Sequence, residues 1–282
     1  MPARNRFGSY VQVTKILFPI RMVVSDLSVT LLQNDLFWEN PEANRRQFET
    51  TINRLTKPTD LIVLPEMFTT GFSMNASALA ESMGGPTVSW LSEMANRTQA
   101  AITGSLIIKE KDHYFNRLIW AEPNGTIQFY DKRHLFRMAQ ENAIYSAGKT
   151  RLTVTWKGWN ICPLICYDLR FPVWSRQVPE KPYDLLLYVA NWPEKRALAW
   201  RTLLAARAIE NLSYCIGVNR TGKDQNGVSY NGNSGVCMPQ GEAFYLPPNP
   251  EIIHTQTLSY HDLQTFREQF PAKLDADPFE LK

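Results

Sequence analysis

Three short stretches place a carboxylate, an ammonium group and a thiol at the ends of apolar runs. The run DLIVLP ends at Glu66, the run GTIQFYD ends at Lys132, and the run NICPLI ends at Cys166. A cysteine thiol is a poor nucleophile until a base takes its proton or a positive charge stabilises the thiolate. Glu66 can serve as that base, and Lys132 can stabilise the thiolate or the oxyanion that forms when sulfur attacks a carbonyl carbon. The backbone N–H of Tyr167, just after the nucleophile, is the natural second donor to this oxyanion.

Each of these residues also has a purely structural interpretation. Free cysteine is among the most buried residue types, so Cys166 taken alone is equally compatible with core packing. Glu66 can cap a helix or pair with an arginine. Lys132 begins the basic stretch KRHLFR, which is typical of a solvated turn or, less often, of a phosphate site. Cys162 and Cys166 form a C-x3-C pair, but a proline lies between them and the chain has few histidines, so the pair is weak evidence for zinc.

A fourth apolar run, DLLLYVA, ends at Asn191 and Trp192. Runs that are apolar at nearly every position are typical of strands buried on both faces. In open α/β sheets, ligands bind beyond the carboxyl ends of such strands. If the strands that precede Glu66, Cys166 and Asn191 are neighbours, their polar ends meet. The pattern therefore predicts a site built from strand ends.

Helical patterns alternate with these strands in the first third of the chain and again near residues 160–215. In NPEANRRQFETTINRL, Asn40 is the predicted N-cap and Pro41 the first helical residue. PTVSWLSEMANRT follows the same plan, and PNG at residues 123–125 predicts a hairpin turn. The alternation predicts a layered α/β sandwich in one domain. The stretch KRALAWRTLLAARAIENL is predicted to form a helix whose broad apolar face contains Trp200, Leu203, Leu204 and Ile209, with Arg201 and Arg207 elsewhere.

Composition and charge exclude several classes of protein. The chain of 282 residues is 44% hydrophobic and 20% charged, as expected of a globular protein. No apolar run approaches the roughly 20 residues needed to cross a bilayer. The net charge of +3 is too small to indicate a nucleic-acid or membrane partner. We therefore expect a small-molecule substrate.

Cysteine usage and the N-terminal stretch bear on location and domain boundaries. The four cysteines lack the density of a disulfide scaffold, which favours a reducing cytoplasm. The N-terminal stretch is basic, but Arg21 interrupts its apolar part and no small-residue cleavage site follows, so we expect no signal peptide. Residues 1–21 are predicted to be an extension without function, and residues 22–282 a single domain. Met22 is a candidate alternative start.

The polar strand ends also match a known pattern. LPE at 64–66, YDKRHLF at 130–136 and ICYDLRFP at 165–172 together resemble the nitrilase superfamily of carbon-nitrogen hydrolases, whose catalytic Glu, Lys and Cys occur in this order. The resemblance extends from about Asp26 to the C-terminal DADPFEL. It implies that Glu66 is the general base, Lys132 the oxyanion stabiliser and Cys166 the nucleophile. Glu141, in AQENAIYSAG, matches a second family glutamate that positions the substrate and helps to hold the lysine.

The flanking stretches EMFTTGFSMN, YSAG and YVANWP are similar to the omega-amidase branch of that superfamily. This branch hydrolyses the terminal amide of 2-oxo acid omega-amides, such as 2-oxoglutaramate and 2-oxosuccinamate, through a cysteine thioester. The resemblance further implies a four-layer α-β-β-α sandwich, a homodimer or larger homo-oligomer, and no metal or organic cofactor. Two alternatives stay open: an amidase for another small carboxylated amide, such as deaminated glutathione, and a non-enzymatic binding protein on the same fold.

A carboxylated substrate needs a positive or N–H-rich partner at the far end of its pocket. Arg170, Arg133 and Arg220 are candidates, although we expect Arg170 to pair with Asp168 or another structural carboxylate. The residues predicted to line the substrate pocket are Tyr167, Asn191, Trp192, Phe72, Met74 and Tyr145.

Overall fold

The structure is a computed structural model that describes residues 24–178 and 181–280. The predicted extension at residues 1–21 and the candidate start at Met22 lie outside the described residues. The described strands are, in chain order, β1 (Leu27–Asn34), β2 (Leu61–Val63), β3 (Ala101–Glu110), β4 (His113–Ala121), β5 (Ile127–Asp131), β6 (Val154–Trp156), β7 (Trp159–Ile165), β8 (Leu185–Ala190), β9 (Tyr214–Asn219), β10 (Thr221–Lys223), β11 (Ser229–Asn231), β12 (Gly235–Cys237), β13 (Ala243–Tyr245) and β14 (Glu251–Leu258).

Seven α-helices and four short 3₁₀ helices connect the strands in the described part of the chain. The α-helices are α1 (Pro41–Asn53), α2 (Ala76–Leu79), α3 (Pro86–Thr98), α4 (Glu141–Ile144), α5 (Pro172–Ser175), α6 (Ala197–Asn211) and α7 (Tyr260–Gln269). The 3₁₀ helices are Arg137–Ala139, Cys166–Arg170, Glu194–Arg196 and Ala272–Asp275. Among these residues, no helix has both the length and the apolar content to cross a membrane.

Two six-stranded sheets form the centre of the molecule. The first sheet has the order β14-β1-β2-β3-β4-β5, and the second has the order β13-β12-β9-β8-β7-β6. In the first sheet β1, β2 and β3 are parallel, and in the second β7, β8 and β9 are parallel. Strands β4 and β5 are antiparallel and joined by the predicted PNG turn, where Gly125 has a φ of 87°. Glycine adopts this left-handed conformation without the penalty that a Cβ would impose.

Apolar side chains fill the space between the sheets and the space outside each sheet. One cluster joins the inner faces of the two sheets, with Val29 and Trp120 from the first and Leu164 and Val189 from the second. A second cluster packs α1 and α3 against the outer face of the first sheet. Helix α6 packs against β9 and β12 of the second sheet. The predicted four-layer α-β-β-α sandwich is therefore confirmed.

The first predicted helix begins where its capping residues indicated. The Asn40 side chain accepts a hydrogen bond from the Ala43 N–H at 3.1 Å, and Pro41 is the first helical residue. The carboxamide oxygen thereby satisfies one of the N–H groups that lack an intrahelical partner. The Phe48 and Ile52 side chains face the core from this helix.

The predicted apolar face of α6 is wrong at two positions. Trp200 and Leu204 are buried as expected, but Ile209 is 50% exposed and Arg207 is only 3% exposed. The Arg207 guanidinium donates to the Leu169 carbonyl at 2.7 Å, and this bond satisfies a backbone group just beyond Cys166. Arg207 is therefore buried despite its charge, because it supplies the hydrogen bond that the buried Leu169 carbonyl needs.

Sequence patterns missed several elements in the C-terminal third. The run SGVCMPQGEAFY forms two short antiparallel strands, β12 and β13. The edge strand β14 and helix α7 were not predicted. Their apolar signal is weak, because one residue of each is fully buried: Leu258 in β14 and Leu263 in α7.

Gly217 on β9 allows α6 to approach the second sheet closely. A Cβ at this position would lie 2.5 Å from Trp200 Cζ2 and 2.6 Å from Leu204 Cδ1. We predict that Gly217→Ala lowers the free energy of unfolding by about 1–3 kcal/mol, because the added methyl group forces these side chains apart. Gly84→Ala is the matched control, since a Cβ there meets nothing closer than 3.9 Å. Thermal unfolding of both variants checks the prediction, and equal melting temperatures would contradict it.

Candidate active site

The polar strand ends meet across the two sheets. Glu66 follows β2 and Lys132 follows β5 in the first sheet, whereas Cys166 follows β7 in the second. Strands β7 and β8 are parallel neighbours, as expected, but β2 is not their neighbour. The three strands are therefore not all neighbours in one sheet, and their polar ends meet instead between the facing sheets at their common end.

Lys132 is held between two carboxylates in a buried cluster. Its Nζ donates to Glu66 Oε1 at 2.8 Å and lies 3.0 Å from both Oε1 and Oε2 of Glu141. All three side chains are at most 1% exposed. Glu141 Oε2 also accepts the backbone N–H of Phe136, which fixes the second glutamate against the loop after Lys132. The sequence prediction that Glu141 lies near Lys132 corresponds to this contact.

Asn116 is a site residue that the sequence analysis missed. Its Nδ2 donates to Glu66 Oε1 at 2.8 Å and to Glu141 Oε1 at 3.1 Å. Its backbone carbonyl accepts the Lys132 N–H at 3.0 Å, because β4 and β5 are adjacent. The signal in the sequence was weak: Asn116 stands two residues before the apolar run LIWA of β4, next to the equally polar Arg117, and its side chain is fully buried.

Asn191 connects the second sheet to the same carboxylate. Its backbone N–H donates to Glu66 Oε2 at 2.7 Å, and its Nδ2 donates to the Glu66 carbonyl at 2.6 Å. Trp192 N–H donates to Asn219 Oδ1 at 2.8 Å, which fixes the turn after β8. The Glu66 carboxylate is thus oriented by groups from both sheets.

Cys166 begins a 3₁₀ helix in a conformation that is uncommon for a side chain with a Cβ. Its φ is 43°, and Met67, directly after Glu66, has a φ of 41°. Such strained residues persist where the surrounding structure holds them, and they concentrate at functional sites. Because Tyr167 is the second residue of this 3₁₀ helix, its N–H has no acceptor within the helix.

The charges of the cluster shift the pKa values of its members. Burial raises the pKa of the Cys166 thiol well above its ordinary value, and the negative charge of Glu66, to which the thiol is hydrogen-bonded, raises it further; Lys132 opposes both effects. Burial also raises the pKa of Glu141, against the opposing ammonium of Lys132. Burial acts to lower the pKa of Lys132, but Glu141 and Glu66 outweigh it and raise that pKa above its ordinary value. The resting state therefore contains a neutral thiol beside a charged lysine.

Asp168 has partners other than the expected Arg170. Its Oδ2 accepts from the Tyr130 hydroxyl at 2.7 Å, and its Oδ1 accepts the His134 backbone N–H at 3.0 Å. Asp168 Oδ2 also accepts the Ile165 N–H at 3.1 Å, which braces the end of β7. The Arg170 guanidinium lies over the Trp192 ring, 5.2 Å from its centroid. The predicted Asp168–Arg170 pair is wrong, because the carboxylate is enclosed by groups from β5, the loop after it and the end of β7.

A cavity of about 580 Å³ opens over Cys166 and Lys132. Five of the six predicted lining residues form part of its wall, whereas the Tyr145 hydroxyl donates to the Ser73 carbonyl behind that wall. Arg133 donates to the Gly148 carbonyl, and Arg220 is fully buried and paired with Asp35, so neither lines the cavity. The wall of the cavity combines aromatic and apolar side chains with one amide and three cationic ones: Phe72, Met74, Tyr167, Asn191, Trp192, Arg170, Lys195 and Arg196.

Residues that could bind a metal ion are not clustered in the part of the chain that the structure describes. No group of three or more His, Cys, Asp or Glu side chains among these residues is arranged to hold a metal ion. All four cysteines are free thiols, and all are buried.

The sequence is similar to a known protein family over most of its length. The sequence model of the carbon-nitrogen hydrolase family matches residues 28–268. Omega-amidase YafV of Escherichia coli (strain K12) is 48% identical over 256 residues, covering 90% of this chain and 98% of the relative. A 2-oxoglutaramate amidase of Bacillus subtilis (strain 168) is 32% identical over 247 residues, covering 86% and 95%.

A solved structure shows the same fold. XC1258 from Xanthomonas campestris, a CN-hydrolase superfamily protein with an arsenic adduct in its active site, is 47% identical in sequence. It superposes with a TM-score of 0.89 and covers 91% of this chain and 99% of the XC1258 chain. This chain therefore belongs to the carbon-nitrogen hydrolase family. Within the nitrilase superfamily, it belongs to the omega-amidase branch.

The raised pKa of Cys166 predicts that its thiol stays protonated in the resting protein. A thiol with the ordinary pKa of about 8.5 is partly ionised at about pH 8. We expect the ultraviolet absorbance of thiolate at that pH to be the same in the wild type and in Cys166→Ser. Cys162→Ser is the control, since burial raises the pKa of Cys162 to about 12. An excess of one thiolate in the wild type over Cys166→Ser would contradict the prediction.

Proposed function

We propose that this protein is an omega-amidase that hydrolyses the terminal amide of small 2-oxo acid omega-amides through a thioester on Cys166. The observation that carries the proposal is the buried cluster in which Lys132 is shared by Glu66 and Glu141 beside the Cys166 thiol. The similarity to proteins named omega-amidase and 2-oxoglutaramate amidase supports the substrate class.

The first half of the reaction forms the thioester. Because the thiol is protonated at rest, Glu66 accepts the Cys166 proton as sulfur attacks the amide carbon. The carbonyl oxygen becomes an oxyanion, which the Lys132 ammonium and the Tyr167 N–H stabilise. Glu66 then returns the proton to the departing nitrogen, and ammonia leaves when the C–N bond breaks.

The second half hydrolyses the thioester. Glu66 accepts a proton from water as the water oxygen attacks the thioester carbon, and the same two donors stabilise the second oxyanion. The C–S bond then breaks, the thiol regains its proton from Glu66, and the 2-oxo acid is released. Covalent catalysis thereby divides one difficult hydrolysis into two easier steps.

The cavity wall supplies positive charge for the substrate carboxylate. Arg170 lies over the Trp192 ring, and the Arg196 guanidinium lies 5.1 Å from the centroid of the Phe136 ring. Within the described residues, neither arginine forms an ion pair with a carboxylate. A guanidinium that lies over a ring and is not paired with an internal carboxylate is suited to bind the two oxygens of a substrate carboxylate. We assign the carboxylate end of the substrate to this part of the wall.

The substrate class predicts a distinctive activity profile. Ammonia release should be at least about tenfold faster, in kcat/KM, from 2-oxoglutaramate and 2-oxosuccinamate than from glutamine and asparagine, because the latter carry a positive amino group toward the Arg170 and Arg196 wall. A panel of these amides, with deaminated glutathione included, measures the profile. Rates on 2-oxoglutaramate no better than on glutamine would refute the class, turnover of deaminated glutathione alone would favour that alternative, and no turnover of any amide would favour a binding protein.

The assigned roles predict the effect of single substitutions. Cys166→Ala should lower kcat roughly 10⁴-fold or more, because the nucleophile is absent. Glu66→Gln should prevent thioester formation, because the amide cannot accept the thiol proton. Cys162→Ala, on the strand that precedes Cys166, is the matched control, and it should retain kcat, since Cys162 is buried away from the cavity. Appreciable turnover by folded Cys166→Ala protein would rule out the mechanism.

The homodimer and the cytoplasmic location are further parts of the proposal. Leu198 and Ile209 on α6 and Val173 on α5 are each at least half exposed, and a second copy of the chain would bury them. Sedimentation equilibrium measures the mass in solution, and a monomeric mass would remove the dimer from the proposal.

The cytoplasmic location rests on the free cysteines, and fractionation of the source cells tests it.

A further inference from the structure

Ser105 on β3 connects the turn after Glu66 to Asn116. Its Oγ accepts the Met67 backbone N–H at 2.8 Å and lies 2.8 Å from Asn116 Oδ1. Ser105 and Asn116 are fully buried, and neither lines the cavity. The two side chains therefore lie behind the catalytic cluster and have no direct access to a substrate.

These contacts fix which way the Asn116 amide points. Asn116 Oδ1 is an acceptor only, so the Ser105 hydroxyl must donate its hydrogen to it. The amide nitrogen then faces the glutamates, and its two hydrogens go to Glu66 Oε1 and Glu141 Oε1. Because each hydrogen of this group is used once, Ser105 sets the orientation of Asn116, and Asn116 supplies one N–H to each carboxylate.

The N–H donors of Lys132 can be assigned to their acceptors in the same way. An ammonium group has three N–H donors. One goes to Glu66, and the equal distances of 3.0 Å to the two oxygens of Glu141 are those of one N–H shared between them. The third N–H is left for the cavity, where Lys132 forms part of the wall.

We propose that Ser105 and Asn116 are positioning residues that keep one Lys132 N–H free for the oxyanion, by giving Glu66 and Glu141 a neutral donor of their own. Without the Asn116 amide, the two buried carboxylates have Lys132 as their shared side-chain donor and draw its third N–H away from the cavity. The Ser105 bond to Met67 also holds the strained turn that aims Glu66 at Cys166. The inference rests on the proposed roles of Lys132 and Cys166.

A double-mutant cycle tests the inference. The variants are Ser105→Ala, Asn116→Leu and the double variant. Thr103→Val is the matched control, because Thr103 is a buried hydroxyl residue on the same strand whose Oγ1 donates to the Ile119 carbonyl at 2.8 Å, outside the cluster. Kinetics on the best amide substrate give kcat and KM, and the rate of Cys166 alkylation by iodoacetamide gives a second measurement that needs no knowledge of the natural substrate.

We expect Asn116→Leu to lower kcat up to about 100-fold, because a misplacement of roughly 1 Å has effects of this size, and Ser105→Ala to lower it about tenfold. KM should change less than about threefold in both, since neither residue touches the substrate. Because Ser105 acts through Asn116, adding Ser105→Ala to Asn116→Leu should cost less than about threefold more. Alkylation of Cys166 should slow in both single variants, and Thr103→Val should keep kcat and the alkylation rate.

Two results would overturn the inference, and a third would separate it from the proposed substrate class. Additive losses in the double variant would mean that Ser105 does not act through Asn116. Equal losses in Ser105→Ala and Thr103→Val would mean that a buried hydroxyl matters for folding alone, and this comparison decides the matter even where Asn116→Leu does not fold. Absence of turnover on every amide, with slowed alkylation in the Ser105 and Asn116 variants, would remove the proposed substrate class and leave the positioning role in place.

Discussion

The ammonium group of Lys132 is shared between two carboxylates that water does not reach, and the rest of the site is arranged around this interaction. A carboxylate or ammonium buried alone is costly, and removing one member of a buried ion pair typically destabilises a protein by about 3–5 kcal/mol. Here two negative charges surround one positive charge, so Lys132 alone does not supply enough hydrogen-bond donors for the two carboxylates. Neutral donors supply the rest: Asn116 donates to both carboxylates, and Asn191 N–H donates to Glu66.

The two-sheet architecture makes this cluster possible and also brings the thiol to it. The first sheet supplies Glu66 just after β2, Asn116 on β4 and Lys132 just after β5, while the second supplies Cys166 and Asn191 after a parallel pair. Two backbone turns with positive φ, at Met67 and Cys166, direct the side chains toward each other across the interface. Because burial and Glu66 raise the pKa of the Cys166 thiol, the proposed mechanism forms the thiolate only as Glu66 takes its proton. The chemistry follows from this coupling of proton acceptor and nucleophile.

Much of the fold and the main site residues could be predicted from the sequence, since they depend on local patterns. The apolar runs before Glu66, Cys166 and Asn191 are strands, and the Asn40-Pro41 helix start follows from capping chemistry. The layer order came from the family resemblance. Contacts between distant segments could not be predicted in the same way. The partners of Asp168, the burial of Arg207 and the position of Tyr145 behind the wall depend on how the layers pack, which no local pattern encodes.

Asn116 is an intermediate case. A buried polar side chain on a central strand needs a hydrogen-bond partner, but the identity of that partner depends on pairing between β3, β4 and β5. The edge strand β14 was missed for a different reason, because a mostly half-buried strand with one fully buried residue carries little apolar signal.

The central claim is that Cys166 carries the acyl group while Lys132 and Glu66 act on it. Acid quenching of the wild-type protein during turnover of 2-oxoglutaramate, followed by peptide mass spectrometry, tests this claim most directly. We predict a mass increase equal to the substrate minus ammonia on the peptide that contains Cys166. This mass increase should be absent when the quench follows complete consumption of the substrate. Turnover with the acyl group on another residue, or with an unmodified Cys166 peptide at every quench time, would contradict the account.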